Sequence, residues 1–223
     1  MTTSDMIEPM TTEIVLIRHG ETDWNVERRL QGHLDIRLNE RGKQQAAALA
    51  ESLKQEDFAA VFASDLERAI HTAQTIAAAQ RLPINIVGAM RERCFGALEG
   101  LRHDEIRIRL PDAYVAWKSR DVDAIYPAGT HIAESLTDFH ERVVAAIDEL
   151  AARFRGRKIA VVTHGGVLDS IYRAATGLAL NEPRPVEIPN AGINRVVCEN
   201  ARIKIRSWGD VGHLMRPALD EIE

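Results

Sequence analysis

Short apolar runs alternate with longer stretches of helical spacing along most of the chain. Residues 13–17, Glu-Ile-Val-Leu-Ile, are almost wholly apolar and show no alternation, the pattern of a strand covered on both faces. Ala46, Leu49, Ala50 and Leu53 share one side of a helix predicted over 42–56. Residues 59–63 read as a second strand. Ser64, with Glu67 three residues on, has the form of a capping box opening the next helix. A third strand is predicted at 84–87. Residues 88–133 are irregular, with short helices expected over 104–110 and 112–119. Leu136, Phe139, Val143, Val144, Ile147, Leu150 and Phe154 form one stripe of a long helix that Gly156 ends. Residues 158–163 give a fourth strand, 165–177 a helix, and 193–199 with 202–208 a strand pair about Asn200-Ala201. Strands alternating with helices predict an α/β domain, a three-layer α/β/α sandwich around a mostly parallel sheet.

Length and composition narrow the functional classes. A chain of 223 residues suits one domain with an elaboration, large enough to bury a core without staples. Thirty-three acidic against 28 basic residues give a net charge of −5, which argues against a protein that coats nucleic acid but leaves room for a small basic pocket. Two cysteines, Cys94 and Cys198, are too few for a disulfide framework and fit a reducing, cytoplasmic setting. The longest apolar runs are far short of a membrane span. Residues 1–12 carry no basic residue and no apolar stretch, so they read as a loose tail rather than a secretory signal.

Ligands of such sheets bind beyond the carboxyl ends of the strands. Those ends carry Arg18-His19-Gly20, His164-Gly165-Gly166, Ser64 leading to Arg68, and Arg91-Glu92-Arg93. Glycines at positions 20, 165 and 166 let a ligand approach the backbone closely. Gly165 also opens a helix whose free N–H groups attract an anion. Arg68 lies in the first turn of its helix, where the dipole disfavours a cation, so another partner is implied. Two arginines can fork onto a phosphoryl group. A neutral imidazole can attack phosphorus, and a carboxylic acid can protonate the leaving alcohol. Spacing alone does not choose among Glu92, Glu21 and Glu99 for that acid. His71 and His140 are expected on helix surfaces, His33, His103 and His131 in loops, and Cys94 half-buried; Trp24 either walls the site or packs. The chain has no G-x-x-x-x-G-K-[ST] loop, no G-x-G-x-x-G fingerprint, no G-x-S-x-G elbow and no zinc pattern. Metal-free chemistry through histidine is what remains.

The segment Leu16-Ile-Arg-His-Gly-Glu-Thr-Asp-Trp-Asn25 resembles the signature of the histidine phosphatase superfamily, the phosphoglycerate mutase-like family. Gln31-Gly32, Leu38-Asn39 and Gly42 continue it. Ser64-Asp-Leu-Glu-Arg-Ala69 with Thr72-Ala73, Arg91-Glu92 with Phe95-Gly96 and Glu99-Gly100, and Thr163-His-Gly-Gly166 resemble its later blocks. The resemblance implies the phosphoglycerate mutase-like fold and roles residue by residue. His19 would become phosphohistidine, and flanking arginines would keep it neutral. Arg18, Arg68 and His164 would hold the phosphoryl oxygens, and Glu92 would be the proton donor. Thr22, Asn25, Gln31, Gly32 and Gly165 would line the phosphate and substrate pocket. No metal and no cofactor would be needed. The partner would be a small phosphomonoester, with no nucleic acid or membrane involved; a homodimer is left open.

The family includes phosphatases and bisphosphoglycerate-dependent mutases. Phe95 stands where such mutases usually carry tyrosine, no Arg-Arg pair occurs between Leu101 and Glu134, and Gly165-Gly166 replaces the commoner Gly-Asn. Glu92-Arg93 itself is mutase-like. A phosphatase is therefore expected, with a mutase as the alternative and a binding protein that has lost catalysis as the third reading. The expected organisation is a tail at 1–12, one domain over 13–215 and a tail at 216–223. Within the domain, about 100–134 would form a lid that selects substrate through Arg102, His103, Arg107, Arg109 or Lys118.

Overall fold

The central strands are built as the apolar runs predict. The computed structural model describes residues 11–214; the expected tails, apart from Thr11 and Thr12, and Met215 lie outside the described residues. Strands β1 (Thr12–Arg18), β2 (Ala60–Ala63), β3 (Ile84–Ile86), β4 (Lys158–Thr163), β5 (Ile193–Glu199) and β6 (Arg202–Asp210) form one sheet in the order β3-β2-β4-β1-β5-β6. β3, β2, β4 and β1 run parallel, while β5 is antiparallel to both of its neighbours. Alternate residues of each central strand serve two cores. Ile14, Leu16, Phe62 and Val161 pack against α6 (Leu136–Arg153) and α7 (Gly165–Thr176). Val15, Ile17, Val61, Ala160 and Val162 pack against α2 (Glu40–Leu53) and α3 (Glu67–Gln80). Both faces are dry, which is why these strands show no hydrophobic alternation. The result is the expected three-layer sandwich around a mostly parallel sheet.

Helix starts differ from the periodicity in two places. α2 begins two residues before the predicted start because Asn39 caps it, its side chain accepting from the Gly42 N–H at 2.8 Å. α3 begins at Glu67 with Leu66 in the cap position and no side-chain cap bond, so the capping box expected from Ser64 does not form. Ser64 bonds a histidine 100 residues away instead. A short helix α1 (Asp23–Val26), which periodicity is too short to reveal, is closed by a Thr22–Asn25 capping box. The turn between β5 and β6 places both Asn200 and Ala201 at positive φ, 49° and 58°.

The irregular stretch after β3 has its own small core. Phe95, Leu98, Ile106, Trp117, Tyr126 and Ala133 cluster with Leu30, held by helices α4 (His103–Arg109) and α5 (Pro111–Lys118). This subdomain sits at the carboxyl edge of the sheet. Among the described residues no helix is long and apolar enough to cross a membrane.

Candidate active site

The two central strands deliver the two histidines side by side. Arg18 is registered opposite Thr163 across the β1–β4 ladder, and the His19 N–H donates to the Thr163 carbonyl at 2.9 Å. His164, next along β4, is the cap residue of α7. The His19 and His164 rings lie 5.2 Å apart between centroids. His19 Nδ1 is 2.7 Å from the Gly20 carbonyl. A carbonyl can only accept, so Nδ1 carries the proton and the Nε2 lone pair is available for attack. Burial, then Arg68 and Arg18, push the His19 pKa well below 6.5, so the ring is neutral. Burial and the same arginines act on His164 in the same direction. His164 Nε2 is 2.6 Å from Ser64 Oγ, which lies 3.4 Å from the Leu66 N–H. A serine hydroxyl that donates to Nε2 leaves the His164 proton on Nδ1. That buried atom has no hydrogen-bond partner among the described residues.

Arg68 is 1% exposed and makes no ion pair among the described residues. Its terminal nitrogens donate to the carbonyls of Leu34 at 2.9 Å and Gly32 at 2.7 Å, and its Nε has no partner there. Burial lowers its pKa to about 10. A dry guanidinium without a carboxylate is costly unless an anion completes it. Arg18 is also buried, with one nitrogen donating to the Ile188 carbonyl at 2.7 Å.

Of the three candidate acids, only Glu92 lines the cleft. Its carboxylate accepts from the backbone N–H of Arg93 at 2.8 Å and of Gly166 at 2.9 Å. Burial raises its pKa; those two N–H groups and the arginines offset this only in part. Glu21 is buried away from the cleft, bonded to Asn39 Nδ2 at 3.0 Å. Glu99 accepts from the N–H groups of His33 at 2.9 Å and Phe95 at 3.0 Å and pairs with His131, a structural post.

The cleft holds about 690 Å³ of empty space. It brings together Arg18, His19, Asn25, Gln31, Gly32, Arg68, Glu92 and Gly165 from the expected set. Thr22 does not reach it; its hydroxyl donates to Asn25 Oδ1 at 3.0 Å and orients that side chain. Gly20 serves packing rather than ligand approach, since a Cβ there would sit 2.6 Å from the Gly42 carbonyl oxygen. Gly166 leaves room for Glu92, whose carboxylate a Cβ would overlap. Of the expected lid contacts only His103 lines the cleft; Arg102, Arg107, Arg109 and Lys118 are exposed. Trp24 packs over Gly100. Cys94 is fully buried rather than half-buried, and His71 and His140 are half-buried rather than on the surface. Asn190, Asp169 and Arg184 carried no sequence signal. Asn190 donates to the His19 carbonyl at 3.1 Å, and Asp169 and Arg184 line the cleft. Among the described residues no three His, Cys, Asp or Glu side chains converge so as to hold a metal ion.

The pattern of the histidine phosphatase superfamily (branch 1) matches residues 14–211. The chain is similar to two proteins of Arabidopsis thaliana. Phosphoglycerate mutase-like protein 4 is 42% identical over 206 residues, 91% of this chain and 86% of that protein. A metal-independent phosphoserine phosphatase is 40% identical over 210 residues, 93% of this chain and 85% of that protein. The solved structure of a mycobacterial glucosyl-3-phosphoglycerate phosphatase is similar with a TM-score of 0.77 at 29% identity, over 89% of this chain and 99% of that one.

Proposed function

The chain belongs to branch 1 of the histidine phosphatase superfamily, and on that premise we propose that it hydrolyses a small phosphomonoester without a metal, through phosphohistidine at His19. The observation that carries this reading is the neutral His19, with its Nε2 lone pair free, beside the buried Arg68, whose Nε has no partner among the described residues. Nε2 attacks phosphorus while the ester P–O bond breaks. Arg18, Arg68, His164 through Nδ1–H, and the Gly165 N–H that opens α7 hold the phosphoryl oxygens. Asn25, Gln31 and Gly32 line the same pocket, and Thr22 sets Asn25. Protonated Glu92 gives its proton to the leaving alkoxide. As carboxylate it then takes a proton from water, whose oxygen attacks the phosphoryl group and frees His19 and inorganic phosphate. No cofactor enters these steps.

Residues 13–215 act as one domain, and about 100–134 select the substrate. A mutase must shield phosphohistidine from water while a bisphosphate reorients, which requires a firm grip on the rest of the substrate. Here Arg107 and Arg109 of α4 are exposed and Phe95 offers the cleft no hydroxyl, which favours transfer to water. Phosphoserine and phosphoglycerate esters, the substrates named for similar proteins, are the first to try. The ester is the only partner the reaction requires, and a cytoplasmic setting suits the free cysteines Cys94 and Cys198.

The test supplies a panel of phosphorylated metabolites, and 3-phosphoglycerate with catalytic 2,3-bisphosphoglycerate, with and without excess chelator. Phosphate release from at least one ester, unchanged by chelator, is expected. Chelator-sensitive activity restored by a divalent ion would overturn the mechanism. Isomerisation outpacing every hydrolysis would make the chain a mutase.

A further inference from the structure

Glu92 sits on a segment that the sheet does not support. Residues 91–95 lie between two single 3-10 turns, Gly88–Met90 and Gly96–Leu98, and belong to no helix or strand. Backbone polar groups in such a place need partners from side chains. Four side chains from outside the segment supply them. Arg142, on α6, donates through Nη1 to the carbonyls of Ala89 at 2.8 Å and Arg91 at 3.1 Å, and through Nη2 to that of Glu92 at 3.4 Å. Its own fork is fixed by Glu134, at 2.6 and 3.2 Å. Glu134 also accepts from the Cys94 N–H at 2.9 Å, and Glu99 accepts from the Phe95 N–H at 3.0 Å. His33 Nε2 also donates to the Glu92 carbonyl, at 2.8 Å. The His33 Nδ1 lone pair faces Arg91 Nη1 at 3.5 Å, and Arg91 is tied to Asp65.

The carbonyl of Glu92 is thus held by two donors, one from α6 and one from the loop that carries His33. We propose that Arg142 and His33 are positioning residues for the general acid: together they fix the main chain of Glu92, so that its carboxyl stays against the Gly166 N–H at the leaving oxygen. This rests on Glu92 being the proton donor. Neither side chain lines the cleft, so neither touches substrate. A carboxyl displaced by about 1 Å no longer meets the leaving oxygen, whereas nucleophile and phosphate grip, built on β1, β4 and α3, are untouched. The effect on catalysis is therefore confined to esters whose leaving group needs a proton.

The test compares an alkyl phosphate, a poor leaving group, with para-nitrophenyl phosphate, which leaves without help. Glu92→Gln, measured first, should lose far more on the alkyl ester, since general acid catalysis contributes about 10²–10⁴-fold. If it loses both equally, the acid assignment itself falls, and with it the clamp. Given that selective loss, His33→Ala and Arg142→Lys should each lower kcat on the alkyl ester about 10-fold more than on the aryl ester, with KM little changed. His33→Gln, whose amide nitrogen can replace the Nε2 donor, should restore most of the ratio. Equal losses on both esters, or none, would overturn the proposal. Should Arg142→Lys not fold, the His33 pair decides the matter alone, because that side chain is partly exposed at 17% and its removal leaves no void in the core.

Discussion

At the scale of single residues the site works by setting two protonation states against their ordinary values. Burial and two guanidiniums depress His19 below 6.5, and burial raises Glu92. The nucleophile must be unprotonated, so activity rises with pH through the His19 pKa. The acid must be protonated, so activity falls as pH rises through the Glu92 pKa. On a poor leaving group, kcat/KM is therefore expected to be bell-shaped, with its acid limb below pH 6.5. In Glu92→Gln the alkaline limb should disappear while the acid limb stays. An alkaline limb unchanged in that variant would mean that another group titrates there. Part of this was legible in the sequence. Arg18 ends β1, His19 and His164 directly follow β1 and β4, and Arg68 comes in the helix after β2, so apolar runs that mark the strands also mark these positions. Spacing did not choose Glu92 over Glu21 and Glu99, because all three are carboxylates beside glycines or arginines, and the family resemblance alone pointed to it. Only tertiary contacts show Glu21 spent on Asn39 and Glu99 on backbone amides.

At the scale of elements, apolar runs marked the strands well because both sheet faces are buried. Helix starts were less legible. A capping serine and a serine that serves a distant histidine look the same in sequence, and Ser64 is the second kind. Asn190 and Asp169 carried no pattern at all, since a loop residue or one turn of helix aims a side chain only once the fold is made. The loop after β1 shows what the glycines do. Gly20 and Gly42 bring that loop onto the first turn of α2, where each backbone fills the place of the other's side chain. A Cβ at position 42 would overlap the Glu21 carbonyl oxygen, which is main chain and cannot swing away. Gly42→Ala is accordingly expected to destabilise the protein by about 3 kcal/mol, the upper end of ordinary overpacking. For a chain of this length that is roughly 6–12 °C in Tm. Thermal unfolding measures it. A shift under about 2 °C would show that the loop and α2 separate freely.

At the scale of the whole molecule, the catalytic charges are a burden on stability that an anion relieves. His19 and His164 are buried neutral with pKa values well below 6.5, whereas in the unfolded chain they titrate near that value. Below pH 6.5 the unfolded state therefore binds more protons, and stability falls as pH falls. Among the catalytic groups the raised carboxyl of Glu92 acts in the opposite direction, one group against two. Arg68 adds a buried cation that makes no direct ion pair among the described residues. An anion that binds only the folded state stabilises it by RT ln(1 + [L]/Kd), about 2.7 kcal/mol at a hundredfold excess over Kd. Inorganic phosphate, the product, should thus raise Tm by roughly 5–10 °C at such an excess. Phosphate also stabilises proteins generally by exclusion from their surface, so sulfate-matched and chloride-matched solutions must accompany it. The discriminating variant is Arg68→Met, which keeps the bulk of the side chain and removes the charge. It should lose the saturable part of the phosphate shift and keep the general part. If Arg68→Met responds to phosphate as the native chain does, the buried guanidinium is not the anion site, and its lack of a counter-charge needs another explanation.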